Sequence, residues 1–596
     1  MFKKQKLILF LLTFCFWQLV FAQVKETKKD SSEVYNQIQT YSKKNKFTKL
    51  VHKLVFRPVN VKTKKTKVIP KRYTKFEGKI IRNINIVTLD PFGYSEIDTT
   101  RKPKNWAERS GNRIHIKTKN LAIRNLLLIQ KNKPLDSLLV KESERLIRMQ
   151  RYISRVDITP QLIPKNQDSV DIFIRVLDSW SIIPKGSISS SRSNFELNDR
   201  NILGSGHEFN NKFKNRFSDR KSAYSLAYTI PTIKNTFIKT TVSYSIDLED
   251  YYSKSINFDR PFYSAFTKWA GGVYFDQQFR KDSLADSNAV FANQNFKHNS
   301  QDLWLGHAFT ILKGNSESVR TTNLVVAGRF LNVNYLESPS IEYDPTNFYS
   351  DEKFSLIGIG ITSRKFVQDH YIFNNGIIED VPIGKIFGIT SGYQYKNNFG
   401  RYYFGARAAF GNFYKWGFLS ANFELGTFLK KSNTKQTAFS FQANYFTSLI
   451  SLGKWKLRQF IKPQFIIGFN RVNIIGDNLT INENYGIQGF NSPEYGTEKA
   501  ILTFQTQAYA PWNLWGFRLN PYFNYSIAML GNAKKGLLEN KAYSKIGVGF
   551  IINNDFLIFK SFQISLSYYP SIPGEGHNIF KTNSFETTDF GFQDFE

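Results

Sequence analysis

From about residue 185 to residue 596 the chain repeats one local pattern, and this pattern limits the fold more than any other feature. Segments of roughly ten residues alternate apolar with polar or small side chains, and clusters of Asn, Asp, Gly, Ser and Lys separate them. In Phe404-Gly405-Ala406-Arg407-Ala408-Ala409-Phe410 one face is apolar and the other is Gly, Arg or Ala. The stretches 222–230, 387–395, 545–552 and 562–569 read the same way. A period of two is the signature of a β-strand, since successive side chains point to opposite faces. About ten alternating residues is the length a tilted strand needs to cross a bilayer, where every backbone polar group must find its partner inside a closed sheet.

The aromatic content fits that reading. Aromatic residues make up 16% of the chain, with 55 Phe and 30 Tyr. Trp269, Trp304, Trp416, Trp455, Trp512 and Trp515 lie near segment ends, as interfacial girdles require. A soluble sandwich or propeller also alternates, but no propeller-like repeat is present. Fourteen alternating segments, a first strand at 185–190 and a last one near the C-terminus predict a barrel of sixteen antiparallel strands. Pro184 would sit directly before the first strand. The polar stretches 276–300 and 332–353 read as long loops.

The N-terminus sets the compartment. Lys3, Lys4 and Lys6 precede an apolar run from Leu7 to Phe21, and Ala22 offers a cleavage point, so residues 1–22 read as a secretory signal. The single cysteine, Cys15, lies inside it, which leaves no thiol for a disulfide, a metal or a nucleophile. Residues 23–78 form a basic leader with sixteen Lys or Arg against four acids. It suits a solvated tether, or contact with anionic lipid or an acidic partner. The net charge of +33 comes with no nucleic-acid motif or compact basic helix, so nucleic acid is not expected as a partner.

Residues 79–180 read as an α+β domain. Lys79 to Val87 alternates as a strand, 91–118 is polar and irregular, and Asn120–Ile129 and Leu135–Met149 carry apolar residues at helical spacing. Asn132-Lys133-Pro134 separates the two helices. Two further strands, 152–163 and 170–177, flank a hairpin turn at 165–168.

The order strand, helix, helix, strand, strand resembles a POTRA domain. Together with the signal and the barrel-like region, it resembles the outer-membrane insertases and translocators often called bacterial surface antigens. That family includes the barrel-assembly insertases, the translocation-and-assembly factors and the two-partner secretion pores. Three local matches carry the resemblance. Asn201-Ile202-Leu203-Gly204-Ser205-Gly206 is similar to the N-L-x-G-x-G turn after the first barrel strand. Tyr485-Gly486-Ile487-Gln488-Gly489-Phe490 is similar to the aliphatic-Arg-Gly-aromatic tetrad of the sixth extracellular loop, which folds back into the lumen. Residues 545–570, ending Leu566-Ser567-Tyr568-Tyr569-Pro570, are similar to the penultimate strands.

At one point the chain departs from the family. Gln488 stands where the tetrad has Arg, and the wall motif aromatic-x-Asp-x-Gly maps onto Phe523 and Asn524, with Asn in place of Asp. Losing one charge of a buried pair costs about 3–5 kcal/mol, whereas losing both leaves room for a neutral bond. The expectation is therefore an amide contact between Gln488 and Asn524.

The resemblance implies a protein of the bacterial outer membrane, its N-terminal region in the periplasm, that assists assembly, insertion or translocation of other proteins. Its partners would be outer-membrane lipid, unfolded client proteins captured by strand addition at the POTRA edge, and accessory assembly proteins. The first and last strands would close the seam. Phe590, Phe592 and Phe595 resemble a barrel C-terminal signal. A passive channel or structural surface barrel is the alternative. Catalysis is not expected. The seven histidines (His52, His115, His207, His298, His307, His370, His577) are scattered, and none has metal-ligand spacing or a nucleophile beside it. No cofactor is expected.

Overall fold

The computed structural model describes residues 73–583 apart from 105, 165, 289, 432, 473–474, 484–485, 515–516, 533–535 and 555–560. The expected signal segment, almost all of the basic leader, Tyr485 and the terminal Phe590, Phe592 and Phe595 lie outside the described residues.

The first part is a small α/β domain. Strand β1 (Ile80–Leu89) is followed by helices α1 (Trp106–Ile114), α2 (Asn120–Arg124) and α3 (Ser137–Arg148), then strands β2 (Ile153–Ile163) and β3 (Asn166–Asp178). The sheet order is β1-β3-β2, with β3 parallel to β1 and antiparallel to β2. Val170, Ile172, Ile174 and Val176 are fully buried, because the central strand turns this alternating face onto the helices. Ile123, Val140, Leu146 and Ile147 meet them from α2 and α3. Asp136 caps α3, its carboxylate accepting from the N–H groups of Leu138 and Leu139. The expected irregular stretch 91–118 contains α1. That helix has few apolar residues to bury, and polar contacts hold it, so periodicity does not reveal it.

The second part is one large antiparallel sheet, and the chain is mostly β overall. It begins β4 (Ile182–Ile188), β5 (Arg192–Asp199), β6 (Glu208–Arg216), β7 (Ser222–Ile230), β8 (Lys239–Ile246) and β9 (Tyr252–Arg260). Longer strands follow: β10 (Trp269–Ala285), β11 (Phe291–Thr310), β12 (Thr322–Glu337), β13 (Glu352–His370), β14 (Ile378–Lys396) and β15 (Phe399–Tyr414). Next come β16 (Gly417–Lys430), β17 (Asn433–Thr447), β18 (Ile450–Leu452), β19 (Trp455–Phe469), β20 (Glu498–Tyr509) and β21 (Asn513–Leu514). The series ends with β22 (Phe517–Gly531), β23 (Ala542–Asn554), β24 (Ser561–Ile572) and β25 (Gly576–Thr582). Neighbours in sequence are neighbours in the sheet, and β25 stands beside β4 in the hydrogen-bonded order.

Strand number differs from the expected sixteen. Even with the very short β18 and β21 counted as extensions of their neighbours, twenty strands remain among the described residues. The four missed from sequence are β5, β6, β9 and β11. They are rich in Asn, Lys, Ser and Gln, so their apolar alternation is thin. Residues 276–300, expected as a loop, instead continue β10 and β11, and residues 280–296 pair only with each other. A ladder of main-chain hydrogen bonds does not need apolar side chains, so a polar hairpin reads as loop. Pro184 lies within β4 rather than ahead of it, opposite Leu197.

The register sorts side chains into two faces. One cross-strand row runs Val326, Ile359, Ile389, Ala406, Leu425, Phe439 and Ile467. The adjacent row on the opposite face runs Ala327, Gly358, Thr390, Gly405, Gly426, Ala438 and Gly468. Ile389, at 63% exposure, typifies the first row, and Phe387, Phe404 and Leu566 are likewise exposed on outward positions. A contiguous belt of aliphatic and aromatic side chains facing outwards is not a water-facing surface.

Candidate functional site

The connection between β19 and β20 folds back against the inner face of the sheet. Its turns are held by main-chain bonds: Ile487 N–H donates to the Ile481 carbonyl at 2.8 Å, and Leu479 pairs with Gly496 in both directions. Gly486 is required here, because a Cβ would lie 1.9 Å from the Ile481 oxygen. The Asn482 side chain clamps Ser492 with two bonds of 2.9 Å. Ile481, Ile487 and Phe490 are buried against Ile501, Leu530, Tyr543, Tyr569 and Ile572 of β20, β22, β23 and β24. Full burial of side chains such as Ile487 and Phe490 stabilises by roughly 1.5–3 kcal/mol each.

Two polar contacts tie the loop tip to the last strands. The Tyr569 hydroxyl donates to the Gln488 carbonyl at 2.6 Å, and the Lys581 ammonium donates to the Gly489 carbonyl at 2.8 Å. Lys581, on β25, also pairs with Glu575 at 2.8 Å. The loop therefore grips β24 and β25, and β25 stands next to β4.

Asn524, the expected partner of Gln488, is bonded within the wall itself. Phe523 is exposed on the outer face while Asn524 is buried on the inner one, as alternation requires. The Asn524 amide donates to Gln505 Oε1 at 3.2 Å, and the Ser526 hydroxyl donates to Asn524 Oδ1 at 3.4 Å. Gln505 is the cross-strand partner of Asn524, so adjacent rungs of the wall satisfy each other.

The glycine-rich turn 201–206 follows β5, the second strand of the sheet, not the first, and it is the joint with the α/β domain. Asn201 is buried, and its side chain accepts from Gly206 N–H at 2.7 Å and donates to Thr118 Oγ1 at 2.9 Å. Thr118 in turn donates its hydroxyl and its N–H to the two oxygens of Asp178, each at 2.8 Å. Lys119 N–H donates to the Gly204 carbonyl at 2.8 Å. Gly204 has a φ of +72°, and a Cβ there would stand 2.2 Å from the Lys117 oxygen. Gly206 has a φ of +79° and packs on the Tyr152 ring. Leu203, by contrast, is exposed. Burial pushes the Asp178 carboxyl up to about 6, opposed by the bonds from Thr118. Asp90 and His115 complete this buried group: His115 Nδ1 lies 3.2 Å from Asp90 and Nε2 lies 3.8 Å from Asp178.

Sequence reasoning missed a second inward structure. Beyond Ser363 and before Gly384, β13 and β14 pair only with each other, and the turn joining them reaches the inner faces of distant strands. Ile372 is buried with Phe418, Phe446 and Phe460, and Phe373 stacks on Phe460 at 5.5 Å. The buried Arg458 guanidinium donates to the carbonyls of Tyr371, His370 and Thr447 and to Asp369, at 2.6–2.9 Å. Tyr509 OH donates to the Ile372 carbonyl at 2.8 Å. A lone Arg in the alternating strand 455–469 was the available signal.

This ribbon also carries α3. Arg148 makes a two-pronged pair with Asp380 at 2.7 and 2.8 Å, and Arg145 stacks 4.0 Å over Phe366. Neighbouring turns join in. Arg145 donates to the Tyr263 carbonyl, Lys141 pairs with Glu317, Arg320 pairs with Asp136, and Asn235 donates to the carbonyls of Asn125 and Leu127. The α/β domain thus sits on five successive turns at one end of the sheet, from β5–β6 to β13–β14. A cavity of about 580 Å³, lined by residues such as Thr321, Gly360, Gly388 and Gly405, lies along the sheet and its turns. Among the described residues no cluster of His, Cys, Asp or Glu is placed to hold a metal ion.

No protein-family model and no curated protein matches the sequence. Solved structures that resemble the chain include "CdiB from Acinetobacter baumannii", at 9% identity over 93% of this chain and 98% of that one, with a TM-score of 0.37. "CdiB from Escherichia coli" matches at 8% identity over 94% and 98%, with a TM-score of 0.38. BamA from Haemophilus ducreyi lacking POTRA domains 1-3 matches at 12% identity over 84% of each chain, with a TM-score of 0.30. Similarity at this level assigns no role to any residue.

Proposed function

We propose that this chain is an outer-membrane barrel, closed between β25 and β4, that assists assembly, insertion or translocation of other proteins. The outward apolar belt supports the membrane location, because aliphatic rows at such exposure need lipid as their solvent. The observation that carries the functional reading is the inner loop. Its tip is bonded to Tyr569 and Lys581, on the two strands beside the β4 seam, so loop position and seam stability are coupled. In this reading the domain of β1–β3 is a POTRA-like module in the periplasm. Its sheet edges are β1 and β2; residues 132–135 already pair with the start of β1, so β2 is the edge that would take a client strand.

Depletion tests the reading. Loss of an assembly factor lowers the surface level of other outer-membrane proteins, and locking β4 to β25 by an engineered cross-link reproduces that loss. If depletion leaves surface proteins unchanged and alters only solute uptake, the chain is a passive channel. The cap on five turns counts against an open pore.

A further inference from the structure

Helix α1 is oriented with its polar side inwards. Glu108 is buried, its carboxylate accepting from Lys104 N–H at 2.7 Å. Asn112 accepts from Phe92 N–H at 3.1 Å and donates to the Phe92 carbonyl at 2.8 Å. Gly111 lies directly on the Phe92 ring, where a Cβ would come within 2.7 Å. The helix is therefore fastened by its polar residues, and its apolar residues look outwards. Trp106 is 80% exposed, Ile114 67% and nearby Ile97 78%. Such a helix leaves its largest apolar surface without a partner, at a cost that water does not return.

The same surface is cationic. Lys102, Lys104, Arg109 and Arg113 are all exposed around Trp106 and Ile114. Trp with interleaved Lys and Arg is the chemistry of a membrane–water interface, where the indole lies at headgroup level and the cations meet anionic lipid. Position supports the same occupant. After α1 the chain passes Ile116, half-exposed, whose methyl carbon lies 3.5 Å from where a Gly204 Cβ would stand. Exposed Leu203 is on that turn, and β5 continues from it with outward Phe195. The insert thus meets the turn that joins β5, a strand with outward apolar residues, to β6.

We infer that the 97–116 insert docks on an anionic phospholipid surface at the capped end of the sheet, with Trp106 among the headgroups. The inference rests on the reading of the sheet as a membrane-spanning barrel. A client polypeptide is the less suitable occupant, because a helix face with four cations on and just before it offers no main-chain edge to pair with.

The test places an environment-sensitive fluorophore on single cysteines in the full chain, on a Cys15→Ser background, reconstituted into phosphatidylethanolamine–phosphatidylglycerol vesicles that carry a lipid-bound quencher. Trp106→Cys reports the insert and Phe404→Cys the outer sheet face. Leu162→Cys, exposed at the end of the β2–β3 ladder away from Asp178, is the control. The expected result is quenching at 106 and 404 but not at 162, with the signal at 106 reduced when phosphatidylcholine replaces phosphatidylglycerol. Quenching at 404 without quenching at 106 overturns the docking while leaving the barrel intact. No quenching at 404 overturns the barrel reading, and the docking with it. Shielding of 106 by an added unfolded outer-membrane protein, without lipid quenching, assigns the patch to clients instead.

Discussion

At Gln488 and Gly489 main-chain carbonyls accept from Tyr569 and Lys581 and so help to hold the inner loop. A carbonyl is present whatever side chain stands at 488, so this attachment does not depend on the charge that the resembling family places there. Tyr569→Phe removes one donor and leaves a buried carbonyl acceptor, at a cost of about 1–3 kcal/mol. Faster protease cleavage of residues 479–490 in the folded protein, with the sheet intact, is the expected outcome. Phe490 belongs to the same attachment but acts through packing, so its truncation to Ala costs about 3–5 kcal/mol. At Gly204 the limit is backbone space. Gly204→Ala adds a Cβ 2.2 Å from the Lys117 oxygen at a φ of +72°, so the turn must move away from the domain. Limited proteolysis between residues 179 and 182 should then release the domain at protease levels that leave the unaltered chain whole.

Among the elements, the β13–β14 ribbon is the one that joins α3 to the far wall. Its tip is anchored chiefly by Arg458, whose guanidinium bonds carry three carbonyls and one carboxylate in a buried setting. Arg458→Met keeps the volume of the stem and removes every donor, stranding these acceptors at a cost of about 3–5 kcal/mol. Residues 371–377 should become accessible to protease, and the conductance of the reconstituted protein in planar bilayers should rise. An unchanged conductance would mean that the ribbon does not obstruct the lumen. Strands β5, β6, β9 and β11 teach a related lesson. With Asn, Lys and Ser on much of both faces they lack the apolar alternation of β13 or β14, yet they form the same antiparallel ladders, because the pairing groups are main-chain.

Across the whole molecule, the domain and the sheet meet through the chain of hydrogen bonds Asn201–Thr118–Asp178. Asp178 has a folded pKa of about 6 against an ordinary value of 3.8, raised by burial. Between those values the unfolded chain has released its proton and the folded one retains it, so stability falls as pH rises through that window and is level above it. Asp90 and His115 face the same carboxyl, so their charges shape the midpoint. Asp178→Asn should flatten the dependence, and the hydrogen-exchange protection of the Thr118 amide at pH 4.5 and 7.5 reads it directly. Much of the architecture was legible in the residues, since a period of two and a period of 3.6 follow from the backbone alone and mark which face of each strand or helix is apolar. That suffices for β13 through β17 and for α2 and α3, whereas the inward course of the loop at Phe490 came only from the family resemblance. It could not place Asn524 against Gln505, turn α1 with Trp106 outwards, or carry the 371–377 turn to Arg458. Those outcomes depend on groups far apart in sequence competing for the same hydrogen bonds and the same space, and only the folded chain brings them within reach of one another.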